Sequence, residues 1–256
     1  MIPDENDIVF SMDRDAIIGA PSHHQVSNLG VVQFRNDYDP ELLRTISRKA
    51  AALKASLAEK RHLNLNFIRG AHRAIPEIRD LVHWPGRLER LEALARTRLE
   101  VYPLSVISTI VTFASVRPED GTIDWHADGI PVTELIPLEI EDLDGGELEL
   151  YRGHADEGLA RVARGETVPE ERIVRVRHEL GCSVLGQLMR LMHGVRRIRR
   201  GRRVTLNLNL RSAERPYIDD NTMCYLGADN PDFAWQEEYI RDLRERVLPA
   251  YLSHAP

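Results

Sequence analysis

His126 and Asp128 stand two residues apart in Ile123-Asp124-Trp125-His126-Ala127-Asp128-Gly129, and a second histidine, His193, lies well downstream, followed ten positions later by Arg203 and then by Thr205. Two imidazoles and one carboxylate on one side of a metal ion, with the opposite positions open, make the ligand set that suits non-haem Fe(II) and its oxygen chemistry. On an extended strand, residues two apart face the same way, so His126 and Asp128 can address one ion while Trp125 and Ala127 turn away. The third ligand must then come from a strand brought alongside, and His193 follows a strand-like stretch at 183–188.

A second face is written from Arg203 onward. Alternation puts Arg203, Thr205, Asn207, Asn209 and Arg211 on one side and Val204, Leu206, Leu208 and Leu210 on the other. The oily row can pack against helices, which leaves the polar row to line a wet cavity. Asn207, Asn209 and Arg211 are expected on the substrate side of that cavity, or as hydrogen-bonded sheet residues. Of two adjacent arginines, Arg203 rather than Arg202 shares its face with Thr205.

The elements that must hold these side chains are short strands and a few amphipathic helices. Asp39-Pro40-Glu41 reads as a helix start, with Leu42, Leu43, Ile46, Ala50, Leu53 and Leu57 recurring at helical spacing to about residue 59. Pro85-Gly86 opens a second helix through Leu88, Leu91, Ala95 and Leu99, and an amphipathic helix runs over about 230–253 through Phe233, Tyr239, Ile240, Leu243, Val247 and Tyr251. Residues 1–30 read as irregular. Strands are expected at 30–34, 62–67, 106–113, 130–138, 146–151, 172–179, 183–188 and 204–210. So many short strands suggest a sandwich or barrel, best a jelly roll. The insert over 152–171 is charge-rich and reads as a solvated surface loop in preference to a lid.

The spacing of His126, Asp128, His193, Arg203 and Thr205 resembles the motif of the Fe(II)/2-oxoglutarate-dependent dioxygenases: His-x-Asp, a long interval, His, then Arg and Ser or Thr. Residues 80–103 also look like the helical lead-in of the phytanoyl-CoA-hydroxylase-like branch. The resemblance implies a mainly β fold with supporting helices around a double-stranded β-helix (jelly roll). It implies one domain, with helical support at about 31–103, a core at about 104–212 and a C-terminal helix. It also implies Fe(II) held by His126, Asp128 and His193, and 2-oxoglutarate anchored by Arg203 and Thr205, with O2 as the other cosubstrate. Planar Arg suits a bidentate carboxylate where Lys does not. The expected outcome is hydroxylation of a small polar molecule, such as an amino-acid derivative or natural-product intermediate, with succinate and CO2 as co-products. Desaturation, cyclisation and epimerisation share the same hydrogen abstraction, and a non-catalytic metal- or ligand-binding jelly roll is the reading from another class. A carboxylate at Asp128 leaves no open position for a halide, which disfavours halogenation.

Composition narrows the partners. A net charge of -6 repels nucleic acid and anionic membrane as a whole, so any anion site must be local. The arginine run at Arg196, Arg197, Arg199, Arg200, Arg202 and Arg203 lacks aromatic stacking partners and reads as a solvated hairpin rather than a nucleic-acid patch. Adjacent His23 and His24 point to opposite faces of a strand and read as loop histidines. Only Cys182 and Cys224 are present, so no disulfide framework is indicated, and with no signal-like start the expected compartment is the cytoplasm. The C-terminal helix offers a face on which a second copy of the chain could pack.

Overall fold

Val204, Leu206 and Leu208 are buried, and the surface they bury against fixes the layering of the molecule. The computed structural model describes residues 5–60, 66–117, 120, 123–230 and 232–254. The expected strand at 62–67 is described only from Asn66 onward; its earlier residues, Pro231 and the first four residues lie outside the described set.

The support comes first in the chain: β1 (Ile8–Asp13), α1 (Arg14–Ile18), β2 (Leu29–Arg35), α2 (Pro40–Leu57), β3 (Glu59–Lys60), β4 (Asn66–Arg69), α3 (Glu77–Val82), α4 (Arg87–Ala95) and β5 (Leu99–Val101). The core follows, with β6 (Thr109–Ser115), β7 (Val132–Asp144), β8 (Leu148–Tyr151), α5 (Ala155–Ala163), β9 (Ile173–Val176), β10 (Cys182–Gly186), β11 (His193–Val195) and β12 (Arg200–Ser212). Helices α6 (Met223–Asp229), α7 (Gln236–Asp242) and α8 (Leu248–His254) close the chain, the last two joined by a π-helical turn at Leu243–Val247.

The larger sheet runs β1-β2-β10-β7-β12-β6-β4-β3, with β5 pairing the far end of β12, and the smaller runs β11-β8-β9. From β7 to β12 the chain steps between the two sheets, and every pairing is antiparallel. That is a double-stranded β-helix. Its outer face is covered as the alternation of β12 requires: Val204, Leu206 and Leu208 pack with Leu43, Ile46 and Ala50 of α2, and Leu210 packs with Leu91 and Ala95 of α4. Helix α2 starts where Asp39 accepts a hydrogen bond from the Glu41 amide, with Pro40 at the first helical position.

Several boundaries differ from the expected ones for local reasons. Residues 8–18 form β1 and α1 rather than irregular chain; the guanidinium of Arg14, fully buried, donates to the carbonyls of Gln187 (2.9 Å) and Met189 (2.8 Å), tying the segment to the core. Strand β6 begins at Thr109 because Leu104–Ser108 form a turn, the Ile107 and Ser108 amides both donating to the Leu104 carbonyl. Helix α4 stops at Ala95, where Arg96 takes a left-handed φ of 54°, and Leu99 joins β5 instead. The final helix starts at Gln236; its anchor is Trp235, fully buried, while Ile240 and Tyr251 are exposed. The insert over 152–171 is not a bare loop, because α5 packs Leu159 and Val162 around Tyr151 and Met192.

Three arginines of the run, Arg199, Arg200 and Arg202, pair with the acidic end of β7. Arg199 pairs with Asp144, Arg200 with Asp142, and Arg202 with Glu139 and Glu141, so these side chains stay on a solvated hairpin. Gly201 turns the strand there with a φ of +79°, and a Cβ on it would lie 2.1 Å from the Glu141 carbonyl oxygen. Gly201→Ala is therefore expected to destabilise the fold by more than about 2 kcal/mol, the left-handed penalty alone being about 1–2 kcal/mol. Thermal melting of the variant beside the wild type checks it.

Candidate metal centre

His126 and Asp128 do not sit on a continuous strand. The segment makes isolated bridges only: His126 exchanges both backbone hydrogen bonds with His193 (2.8 and 2.7 Å), and the Asp128 amide reaches the Leu188 carbonyl at 3.4 Å. Pro131, lacking an N–H, lies just before β7, where regular pairing begins. The two-residue alternation survives this irregularity. Trp125 and Ala127 turn outward to pack with Tyr151, Ala155 and Met192, while His126 and Asp128 face inward.

The bridge with His193 is what assembles the cluster. His126 Nε2 lies 3.3 Å from Asp128 Oδ1, His193 Nε2 lies 3.7 Å from Asp128 Oδ2, and one ligand atom from each residue falls within 4.8 Å of the others. Ligands about 2.1 Å from a common ion at right angles stand about 3 Å apart, so these separations fit one metal. The second ring nitrogens settle which atoms are offered. His126 Nδ1 sits 2.7 Å from the Asp124 carbonyl and His193 Nδ1 sits 2.8 Å from the Leu191 carbonyl. A carbonyl only accepts, so both Nδ1 atoms carry the proton and both Nε2 atoms present lone pairs toward the carboxylate.

Charge in the cluster is shared unequally. Burial and repulsion from His126 push His193 down to about 4. Burial also opposes charging of His126, yet Asp128 and Asp124 raise it above its ordinary value. Burial alone would raise the Asp128 carboxyl, but the two imidazoles hold it below the usual carboxylate range. The three side chains together form a group of inward-facing donors that could hold one metal ion.

The cluster opens into a cavity of about 320 Å³ whose wall includes Arg203, Thr205, Asn207 and Asn209. The register explains the row. Asn207 lies between Leu135 of β7 and Ile110 of β6, and Ile110 faces Arg69 of β4, so all four side chains line one level of the wall. A register shift between Val204 and Thr205 falls opposite Pro137, which cannot donate to the ladder.

Individual residues of the polar row have different surroundings. Arg203 is 3% exposed; its Nη1 donates to the Gly146 carbonyl at 2.5 Å, and its Nε meets no acceptor among the described residues. Burial, only partly offset by Glu147, pulls its guanidinium down to about 10. The buried Thr205 hydroxyl and the Asn207 carbonyl oxygen also lack partners among the described residues. Asn209 is engaged at both ends, accepting from Thr133 (2.9 Å) and donating to the Ile107 carbonyl (2.6 Å). Arg211 is a correction: it does not line the cavity but bonds Glu100 (2.8 Å) and Asp242 (2.5 and 2.6 Å), clamping β5 and α7 to the end of β12. By that position the strand has passed the cavity rim and lies beneath the C-terminal helices.

His178 was not among the expected site residues. It follows β9, is 5% exposed, lines the same cavity, and has an Nδ1 with no partner among the described residues. A signal for it exists in the sequence: Val174, Val176 and His178 continue one inward-facing alternation, with Arg175, Arg177 and Glu179 on the other side.

No family model matches the chain, and no curated protein sequence does. Solved structures do. The carbocyclase SnoK from nogalamycin biosynthesis, a non-heme alpha-ketoglutarate-dependent protein, is 15% identical and superposes with a TM-score of 0.56 over 72% of this chain and 80% of its own. The epimerase SnoN of the same biosynthesis, in complex with Fe3+, alpha-ketoglutarate and nogalamycin RO, is 14% identical with a TM-score of 0.55 over 72% and 80%. This chain has the fold of the Fe(II)/2-oxoglutarate oxygenases. HygX from Streptomyces hygroscopicus, with nickel and 2-oxoglutarate bound, is a third such match at 14% identity and a TM-score of 0.52 over 71% and 82%.

Proposed function

We propose that the chain is an Fe(II)/2-oxoglutarate-dependent oxygenase of a small molecule. The observation that carries this reading is the pairing, in one cavity, of three inward electron-pair donors with a buried guanidinium whose Nε has no acceptor among the described residues. A buried Arg whose charge is only partly offset, here by Glu147, is costly, and a carboxylate relieves that cost. His126, Asp128 and His193 would hold the iron, and Arg203 with Thr205 would bind the distal carboxylate of 2-oxoglutarate. When bound, the iron with its cosubstrate supplies oxygen activation and hydrogen abstraction from a C–H bond, with succinate and CO2 as co-products.

The chain's own work is positional. The Asp124 and Leu191 carbonyls fix the two imidazoles with Nε2 inward. Phe67, Ile107, Ile110, Ile130 and Leu226 exclude water from much of the cavity, while Asn207, Asn221 and Arg69 supply polar contacts. That wall suits a small substrate with an apolar body and hydrogen-bonding groups, such as a natural-product intermediate or amino-acid derivative. Hydroxylation is the first outcome to test. Epimerisation and cyclisation form the second reading, favoured by the likeness to SnoN and SnoK.

Arg203→Lys is expected to weaken 2-oxoglutarate binding by about tenfold or more, because an ammonium cannot reproduce the planar, bidentate contact. Calorimetric titration of the metal-loaded protein measures this. Unchanged affinity in both Arg203→Lys and Arg203→Ala would remove Arg203 from the site. Succinate formation that requires Fe(II) and O2 separates an enzyme from a jelly-roll protein that only binds a metal or ligand.

Among the described residues no helix is long and apolar enough to cross a membrane. Ile240, Leu248, Tyr251 and Leu252 are exposed on the C-terminal helices, and a second copy of the chain is the proposed cover for them. Sedimentation of the wild type beside Leu252→Asp tests that association.

A further inference from the structure

Two sheets deliver polar atoms to the Arg203 end of the cavity. From β12 come Arg203 Nε and the Thr205 hydroxyl, and from just after β9 comes His178 Nδ1; all three are buried and none has a partner among the described residues. Buried polar atoms are almost always satisfied, so these three unmet atoms, which share the cavity with the unmet acceptor oxygens of Asn207 and Asn230, mark a place built for a ligand. The chemistry of the set identifies the ligand class. A guanidinium, a hydroxyl and an imidazole N–H can all donate at once, and an ionised carboxylate, which only accepts and takes several donors, matches that demand. A second metal is excluded at this end by the charge of Arg203.

We infer that His178, through Nδ1–H, is a third donor to the distal carboxylate of the cosubstrate, so that the anchor is a three-sided pocket rather than an Arg-Thr pair. The inference rests on the proposed 2-oxoglutarate site and adds a positioning residue to it. Burial, with Arg203 nearby, holds the His178 imidazole well below its ordinary pKa, so the ring is neutral at physiological pH. A neutral ring still donates one N–H, and it does so without adding a second positive charge to a pocket that already has one.

The test is calorimetry on oxygen-free protein loaded with Mn(II), with two probes: 2-oxoglutarate, and 2-oxopentanoate, which carries a methyl where 2-oxoglutarate carries its distal carboxylate. Three variants separate a donor from a packing role. His178→Leu keeps bulk and removes the donor, His178→Asn keeps an N–H near the Nδ1 position, and His178→Gln moves it outward to the Nε2 position. The dissociation constant for 2-oxoglutarate should rise about ten- to a hundredfold in His178→Leu, the usual worth of a hydrogen bond to a charged group. His178→Asn should stay within about threefold of the wild type, and His178→Gln should resemble His178→Leu. With 2-oxopentanoate the wild type and His178→Leu should differ by less than about threefold, since the group His178 contacts is gone.

Equal losses for both probes in His178→Leu would assign the residue to packing and overturn the inference, as would wild-type affinity for 2-oxoglutarate in that variant. Either result leaves the iron and Arg203 reading standing. No binding of 2-oxoglutarate by the wild type would overturn both together.

Discussion

Asp128→Ala should abolish tight binding of a divalent metal. In the proposed site the carboxylate would be one of three ligands and the only negative charge among them, and its two oxygens face His126 Nε2 at 3.3 Å and His193 Nε2 at 3.7 Å. Loss of an outer partner alone costs about 10–100-fold in metal affinity, so removal of a ligand should cost more than about a hundredfold. The backbone stays in place, because the segment is held by the His126–His193 bridge and by the packing of Trp125 and Ala127, none of which uses the Asp128 side chain. Metal content after dialysis, together with a melting curve in the presence of chelator, separates a lost site from a lost fold. A variant that keeps one equivalent of iron would show that the cluster is not the metal site.

Glu134→Ala should produce the largest loss of stability. Glu134 is fully buried in β7, where it accepts from Tyr38 Oη (2.7 Å) and Arg87 Nε (2.8 Å) and pairs again with Arg87 Nη2 (2.7 Å). Arg87 is itself only 2% exposed, and its other hydrogen bond goes to the Val82 carbonyl. Removing the acid leaves the guanidinium buried with only the Val82 carbonyl to accept from it and nothing to neutralise it, and leaves the phenol without its acceptor, which costs about 3–5 kcal/mol. At about 2–4 °C per kcal/mol for a chain of this size, the melting temperature should fall by roughly 10 °C. Glu134→Leu combined with Arg87→Met should recover much of that loss, because the desolvation of both charges disappears with the pair. A single variant that melts within a degree or two of the wild type would contradict the assignment.

Much of the site was legible in the sequence because its information is local. The His126–Asp128 spacing, the choice of Arg203 over Arg202, and the oily row from Val204 to Leu210 all follow from the period of a strand, and each side chain has the surroundings that period implies. Non-local features were harder to see. Arg211 obeys the alternation of its strand, yet what meets it is Asp242 from a helix that folds back over the sheet, and no periodicity in β12 encodes that encounter. His178 carried a signal in the Val174–Val176 alternation, but a single histidine after a short strand gains meaning only when the second sheet brings it to Arg203. The ligand segment keeps strand-like alternation without strand pairing, since its partners are set by the single bridge to His193. Trp235 and Arg14 belong to the same class: large buried side chains whose partners lie far away in the chain.

The most direct measurement is an anaerobic titration of the iron-free protein, first with Fe(II) and then with 2-oxoglutarate, followed by visible absorption. The predicted result is a weak charge-transfer band that grows to one equivalent of each component in the wild type and is absent from Asp128→Ala. No band at saturating Fe(II) and 2-oxoglutarate, or an undiminished band in Asp128→Ala, would contradict the assignment of His126, Asp128 and His193 as an iron centre that binds this cosubstrate.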